Sequence, residues 1–142
     1  MIVLDTNVLS ELIRHSPDPG VLVWLDSFPG SEVVTTAVTA AELWYGTARL
    51  PSGRRRDTLA AAVRALLDED LRDRVESFDL VAASHYANLV SHRERLGRPI
   101  SVADAQIAAI CRRLRAPLAT RNVADFEHTG VQLVNPWRQA GR

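Results

Sequence analysis

The chain opens on three apolar residues, Ile2, Val3 and Leu4, that stop at Asp5. A short apolar run ending at a polar residue reads as a strand buried on both faces. Beyond it Val8, Leu9, Leu12 and Ile13 recur at helical spacing until Pro17 and Pro19 intervene. A second helix is expected over 19–28, with Val21, Leu22, Trp24, Leu25 and Phe28 apolar and Pro29-Gly30 as its stop. The β-branched run at 32–36 predicts a second strand. From Val38 a helical pattern carries Ala40, Ala41, Leu43, Trp44 and Tyr45 to the break at Pro51, Ser52 and Gly53.

An alanine- and leucine-rich helix follows over 54–67, opened by Arg54, Arg55 and Arg56. Residues 75–78 predict a third strand, 80–96 a helix that ends before Gly97, and 101–115 another helix. Strands four and five are expected at 117–120 and 131–134. Strands alternating with helices imply an α/β fold: a central, mostly parallel five-stranded sheet with helices on both faces. No repeat, linker or low-complexity run divides the sequence, so the expectation is a single domain over 1–142.

Charge changes this picture little in total but a great deal in kind. Cations and anions balance at 17 each, so no global basic footprint announces a nucleic-acid binder. Every cation is arginine; the sequence contains no lysine. That removes a lysine-bearing phosphate loop, Schiff-base chemistry and a phospho-receiver site. An aspartyl-nucleophile phosphatase built on Asp5 would also want DxD and a lysine, where this chain has Asp5-Thr6-Asn7. The glycines are scattered rather than set as a dinucleotide loop, and the one cysteine, Cys111, reads as a small buried helix residue. With no leader pattern before the first strand and no membrane-length apolar run, a cytoplasmic setting is expected.

The candidate chemistry lies in four acids. Asp5 and the segment Thr120, Arg121, Asn122, Asp125 both follow predicted strands, where open α/β sheets bind ligands. Glu42 and Asp104 instead sit in helical stretches dominated by small or apolar residues. A buried carboxylate is costly unless paired, hydrogen-bonded or metal-bound, and several in one crevice call for a divalent cation. Oxygen-only ligands suit Mg²⁺ or Mn²⁺. Taken singly, each acid also has a structural reading. Asp5 or Thr6 can cap the first helix, Ser101-x-x-Asp104 is a capping-box pattern, Glu42 can face solvent, and Asp125 can belong to a turn.

Together, MIVLDTNVLSE, TAAELWYG, SVADAQIAA and TRNVADFEHTGVQLVNPW resemble, in order and interval, the PIN-domain ribonucleases. Within these the chain is similar to the VapC-type toxins of VapBC toxin–antitoxin pairs, including FitB-like relatives. The resemblance implies an acidic cluster that binds Mg²⁺ or Mn²⁺ and hydrolyses RNA phosphodiesters with a metal-activated water, leaving a 5′-phosphate and a 3′-hydroxyl. Asp5 and Asp104 match its central metal ligands and Glu42 the acid that completes the set. Asp125 matches the fourth acid, with Asn122 a polar ligand or water-positioner. Thr6, Asn7 and Thr120 are expected to orient these groups, or to serve as local caps.

The same resemblance implies a homodimer that binds a VapB-type antitoxin in a hydrophobic groove, and meets DNA only through that antitoxin. Trp24, Leu25, Trp44 and Leu50 are the candidates to line the groove, although aromatics on helices are ordinarily core. Arg54, Arg55 and Arg56, and Arg112 and Arg113, are candidate RNA contacts, or else solvated helix ends.

Overall fold

The computed structural model describes residues 1–138. All five expected strands form: β1 (Ile2–Leu4), β2 (Val33–Thr36), β3 (Val75–Glu76), β4 (Leu118–Ala119) and β5 (Leu133–Val134). They make one sheet in the order β3-β2-β1-β4-β5, and every pairing is parallel. β1 is therefore the central strand, which explains why its three residues are all apolar: both of its faces are covered.

Side chains alternate across the sheet. Val3, Val34, Leu118 and Leu133 face one core; Ile2, Leu4, Val33, Ala119 and Val134 face the other. Six helices cover the two faces: α1 (Thr6–Leu12), α2 (Pro19–Asp26), α3 (Ala37–Ala48), α4 (Arg54–Ala65), α5 (Leu80–Arg95) and α6 (Val102–Leu114). The first core is filled by Ala82 and Leu89 of α5 and by Ile107, Ala108, Ile110 and Cys111 of α6. Ile107 and Ile110 are fully buried, a contribution of about 1.5–3 kcal/mol each. The second core takes Val8 and Leu9 from α1, Leu43 from α3 and Val63 from α4, with Trp24 of α2 packed against it.

Short polar residues start the helices. Asp18, Thr36, Asp79 and Ser101 each accept a first-turn N–H, at 2.7, 3.0, 2.9 and 3.2 Å respectively. Arg115, in the left-handed region at φ 53°, closes α6 and turns the chain into β4.

The departures from the periodic pattern are local. The helix expected over 54–67 is α-helical to Ala65 and then widens into a π turn, Leu66–Asp70. The wider turn leaves Leu66, Leu67 and Leu71 all buried. The strands are shorter than their apolar runs, and among the described residues three 3-10 turns, Gly30–Glu32, Val123–Phe126 and Pro136–Arg138, add to the expected elements. Three or four residues are too few to show a period. Among the described residues, no helix is long and apolar enough to cross a membrane.

Candidate active site

β1 delivers Asp5 to the carboxyl end of the sheet, where the side chain is buried. The capping and crevice readings turn out to be compatible, because the two carboxylate oxygens divide the tasks. Oδ1 accepts the Thr6 N–H at 2.8 Å and starts α1. Oδ2 accepts the Thr120 hydroxyl at 2.7 Å and the Asn7 amide at 3.3 Å. Burial pushes the Asp5 pKa up, the Thr120 and Thr6 hydrogen bonds oppose it, and the Glu42 charge adds to the rise.

Thr120 follows β4, the strand beside β1, and is the hub of this network. Its oxygen also accepts the Asn122 N–H at 3.1 Å and the Asn7 amide at 3.4 Å. Asn7 in turn accepts the Arg121 N–H at 3.0 Å. The DTN and TRN segments are thus laced together, as parallel neighbouring strands require of the loops that leave them. Glu42 stands at the exposed rim on α3 and accepts the Thr6 hydroxyl at 2.6 Å.

Asp104 lies in the first turn of α6, half-buried. Its pKa is pushed up to about 6, first by burial and then by the Asp5 charge, with Asp125 and Glu42 adding to the rise against a Ser101 hydrogen bond. Asp104 therefore lies within the electrostatic reach of three acids brought from elsewhere in the chain. Asp125 is exposed on the 3-10 turn that Asn122 begins, and Asn122 caps that turn without a side-chain bond.

The periodic pattern gave no hint of Arg93. It is a buried arginine on α5 whose partners are all backbone carbonyls: Arg98 at 2.7 Å, Glu127 at 2.8 Å, Asp125 at 3.0 Å and Pro99 at 3.5 Å. Two of these precede Ser101 and Asp104, one lies in the Asp125 turn and one directly follows it, so one guanidinium braces both loops. An arginine at the end of a predicted helix carries no signal of this kind, since burial is decided by what packs over it.

An all-oxygen donor set fits a hard divalent cation by its chemistry, and the mutual repulsion recorded in Asp104 is what such a cation would relieve. Among the described residues, however, no three histidine, cysteine, aspartate or glutamate side chains stand close enough together to hold a metal ion as placed.

Comparison with known proteins decides the family. The PIN domain family model matches residues 2–131. The chain belongs to the PIN-domain family. It is similar to a protein named VapC ribonuclease Y4jK from Sinorhizobium fredii, 39% identical over 140 residues, which are 99% of this chain and 100% of that one. It is 36% identical over 137 residues to Toxin FitB from Neisseria gonorrhoeae, covering 96% of this chain and 99% of the other. A solved structure of FitAB bound to an IR36 DNA fragment superposes with a TM-score of 0.90 at 34% identity, covering 98% of this chain and 97% of that one.

Within this PIN domain the other candidate contacts separate. Arg54 and Arg55 border a groove of about 1020 Å³ that runs past Thr6 and Glu42 between α1, α3 and α4; Leu50 lines it, with Leu43, Leu59 and Val63. Half-buried Arg56 is not part of its lining. Arg113 is tied to Glu76 and, at 3.0 Å, to Asp79, and it donates to the Ser77 carbonyl at 2.7 Å. Arg112 reaches the Thr129 carbonyl at 3.5 Å. Trp24, Leu25 and Trp44 do not join Leu50 in the groove. Trp24 packs edge-on to Phe28, Leu25 lines a separate cavity of about 440 Å³, and Trp44 lies half-buried beneath Arg64. Their helices turn these side chains toward the second core, the ordinary place for aromatics in a small domain.

Proposed function

We propose that this protein is an Mg²⁺- or Mn²⁺-dependent endoribonuclease acting as the toxin of a type II toxin–antitoxin pair. The observation that carries the reading is Asp104, held to about 6 by burial and by the charges of three acids brought from elsewhere in a PIN domain. Asp5 and Asp104 would hold the cation, Glu42 completing the set through its place at the rim, and Asp125 would supply the fourth acid. When bound, the cation would lower the pKa of a water and stabilise charge on the phosphate. The chain's own part is orientation. Thr120 and Asn7 fix Asp5, Thr6 fixes Glu42, and Arg93 braces the loops that present Asp104 and Asp125.

The likeness to VapC and FitB supports a VapB-type antitoxin as partner, and the FitAB–DNA structure supports DNA contact through that antitoxin. The groove beside Glu42, apolar along Leu43, Leu50, Leu59 and Val63, suits an amphipathic antitoxin segment docking on a homodimeric toxin.

The test is incubation of a mixed RNA pool with purified protein, with and without Mn²⁺ or Mg²⁺, beside Asp5→Asn and Asp104→Asn. Metal-dependent cleavage giving 5′-phosphate ends, and lost in both variants, is expected. Cleavage that survives both substitutions or ignores EDTA would sink the reading. The open spacing of the acids favours a second one, a catalytically weak PIN module that serves mainly as an antitoxin's dimeric partner. Absence of cleavage, together with tight antitoxin binding, would select it.

A further inference from the structure

We propose that Arg121 and Trp137 form a nucleobase subsite beside the acidic crevice, taking one unpaired ribonucleotide of the substrate; this rests on the ribonuclease reading above. A cavity of about 810 Å³ is lined by Arg121, Asn122, Asp125, Asn135, Trp137 and Arg138, so one of the four acids forms part of its wall. The Arg121 guanidinium lies over the Trp137 ring, 4.8 Å from its centroid.

The platform is built from below. Trp137 is half-buried against the second core, on a 3-10 turn that touches α2, and its N–H is held by the Asn135 side chain at 2.9 Å. Arg121 is fixed at its backbone by Asn7 at 3.0 Å, and its chain neighbour Asn122 by Thr120 at 3.1 Å. Thr120 is the residue that donates to Asp5. Two hydrogen-bonded steps, through Asn7, therefore separate the stacked pair from Asp5, the one buried acid of the four.

The chemistry of the pair selects the ligand. A guanidinium laid on an indole presents its outer plane to solvent, and exposed Arg121 has that plane free for a base, whose π-face stacks on arginine and aromatic planes alike. Among the described residues, neither Arg121 nor Arg138 is in ion-pair contact with a carboxylate, in contrast to Arg14, Arg98 and Arg113. Two free guanidiniums against Asp125 make this cavity locally positive in a chain of zero net charge. A polyanion approaching four acids needs such a counterweight next to them.

The experiment measures binding of a short single-stranded oligoribonucleotide, and of the same oligomer made abasic at each position in turn, in an Asp104→Asn background that leaves the RNA uncut. In the parent, removing the base at one position is expected to weaken binding about tenfold. Arg121→Ala should weaken the intact oligomer by a similar factor and abolish the sensitivity at that position. Arg121→Lys, which keeps the charge but loses the plane, should abolish it too. Trp137→Leu should act likewise, but the ring also packs in the core, so the exposed Arg121 pair carries the test. Equal weakening of intact and abasic RNA by Arg121→Ala would mean a phosphate contact alone and would overturn the subsite, as would unchanged base sensitivity in either Arg121 variant. A parent that cleaves RNA while both Arg121 variants keep full base sensitivity fails only this inference. Neither cleavage nor RNA binding by the parent fails the ribonuclease reading and this one with it.

Discussion

The Thr120 hydroxyl donates to Asp5 Oδ2 at 2.7 Å, joining the ends of two adjacent parallel strands across 115 residues of sequence. This bond opposes the effect of burial, which raises the Asp5 pKa. Thr120→Val should let that pKa rise further, because the charged carboxylate loses a hydrogen-bond donor while its burial remains. The acid limb of the pH–rate profile would then move to higher pH, while Thr120→Ser leaves it in place. An identical limb in the valine variant would remove Thr120 from the catalytic electrostatics.

Asp104 shapes the stability of the metal-free protein in the opposite sense to an ordinary salt-bridged acid. Its folded pKa, about 6, lies above the ordinary 3.8. The native state therefore holds the proton more tightly than the unfolded chain. Its stabilising contribution is full below pH 3.8, falls as pH rises, and is gone above about 6. Asp104→Asn should raise the Tm in EDTA at pH 7.5 by a few degrees, corresponding to about 1 kcal/mol once solvent screening of a half-exposed group is allowed for. At pH 4 the gain should vanish. Added Mn²⁺ should stabilise the parent more than this variant.

Arg93→Met should cost about 2–4 kcal/mol in urea unfolding, because a buried guanidinium and its hydrogen bonds to four backbone carbonyls are lost together. Under conditions where the variant remains folded, RNA cleavage should fall as well, since the turn carrying Asp125 loses its brace. Full cleavage by a destabilised variant would confine Arg93 to a structural role.

Glu11 is buried yet holds its proton weakly. Burial pushes its pKa up, but both oxygens accept from Arg14 Nη1, at 2.9 and 3.0 Å, and Oε2 accepts the Asp18 N–H at 2.8 Å, leaving it below the ordinary value of 4.5. A lowered carboxylate contributes stability above the unfolded pKa and loses it as pH falls through the folded one. Glu11→Gln should therefore destabilise at pH 7 and narrow the difference in Tm between pH 7 and pH 3. The measurement is thermal unfolding at both values.

The fold was largely legible before the structure was known. Ile2, Val3 and Leu4 announced a strand covered on both sides, and Ser101 announced the start of α6 three residues before Asp104. These are local signals, carried by periodicity and by the hydrogen-bonding habit of a single side chain. Less legible was the environment of each acid. Glu42 and Asp104 looked alike in their helical settings, yet Glu42 stands exposed at the rim while Asp104 is half-buried. Which face of a helix is covered depends on the neighbour that packs there, and no local window contains that neighbour. The aromatic residues show the same limit: Trp24, Trp44 and Trp137 all pack on the second core, but only the tertiary structure sets Trp137, in a turn too short for any pattern, beneath Arg121 beside the crevice.

By itself, then, the sequence determined the succession of strands and helices, the all-oxygen chemistry of the acids and the absence of lysine-based alternatives, because each is written in residue identity and short-range spacing. Only the tertiary structure decided that Arg113 is tied to Glu76 and Asp79, that Arg93 braces two loops, that Thr120 holds Asp5, and that Arg121 rests on Trp137. Most of these contacts join segments dozens of residues apart, and all of them depend on strand order. That order places β4 against β1 and brings the loops beyond their ends within hydrogen-bond distance.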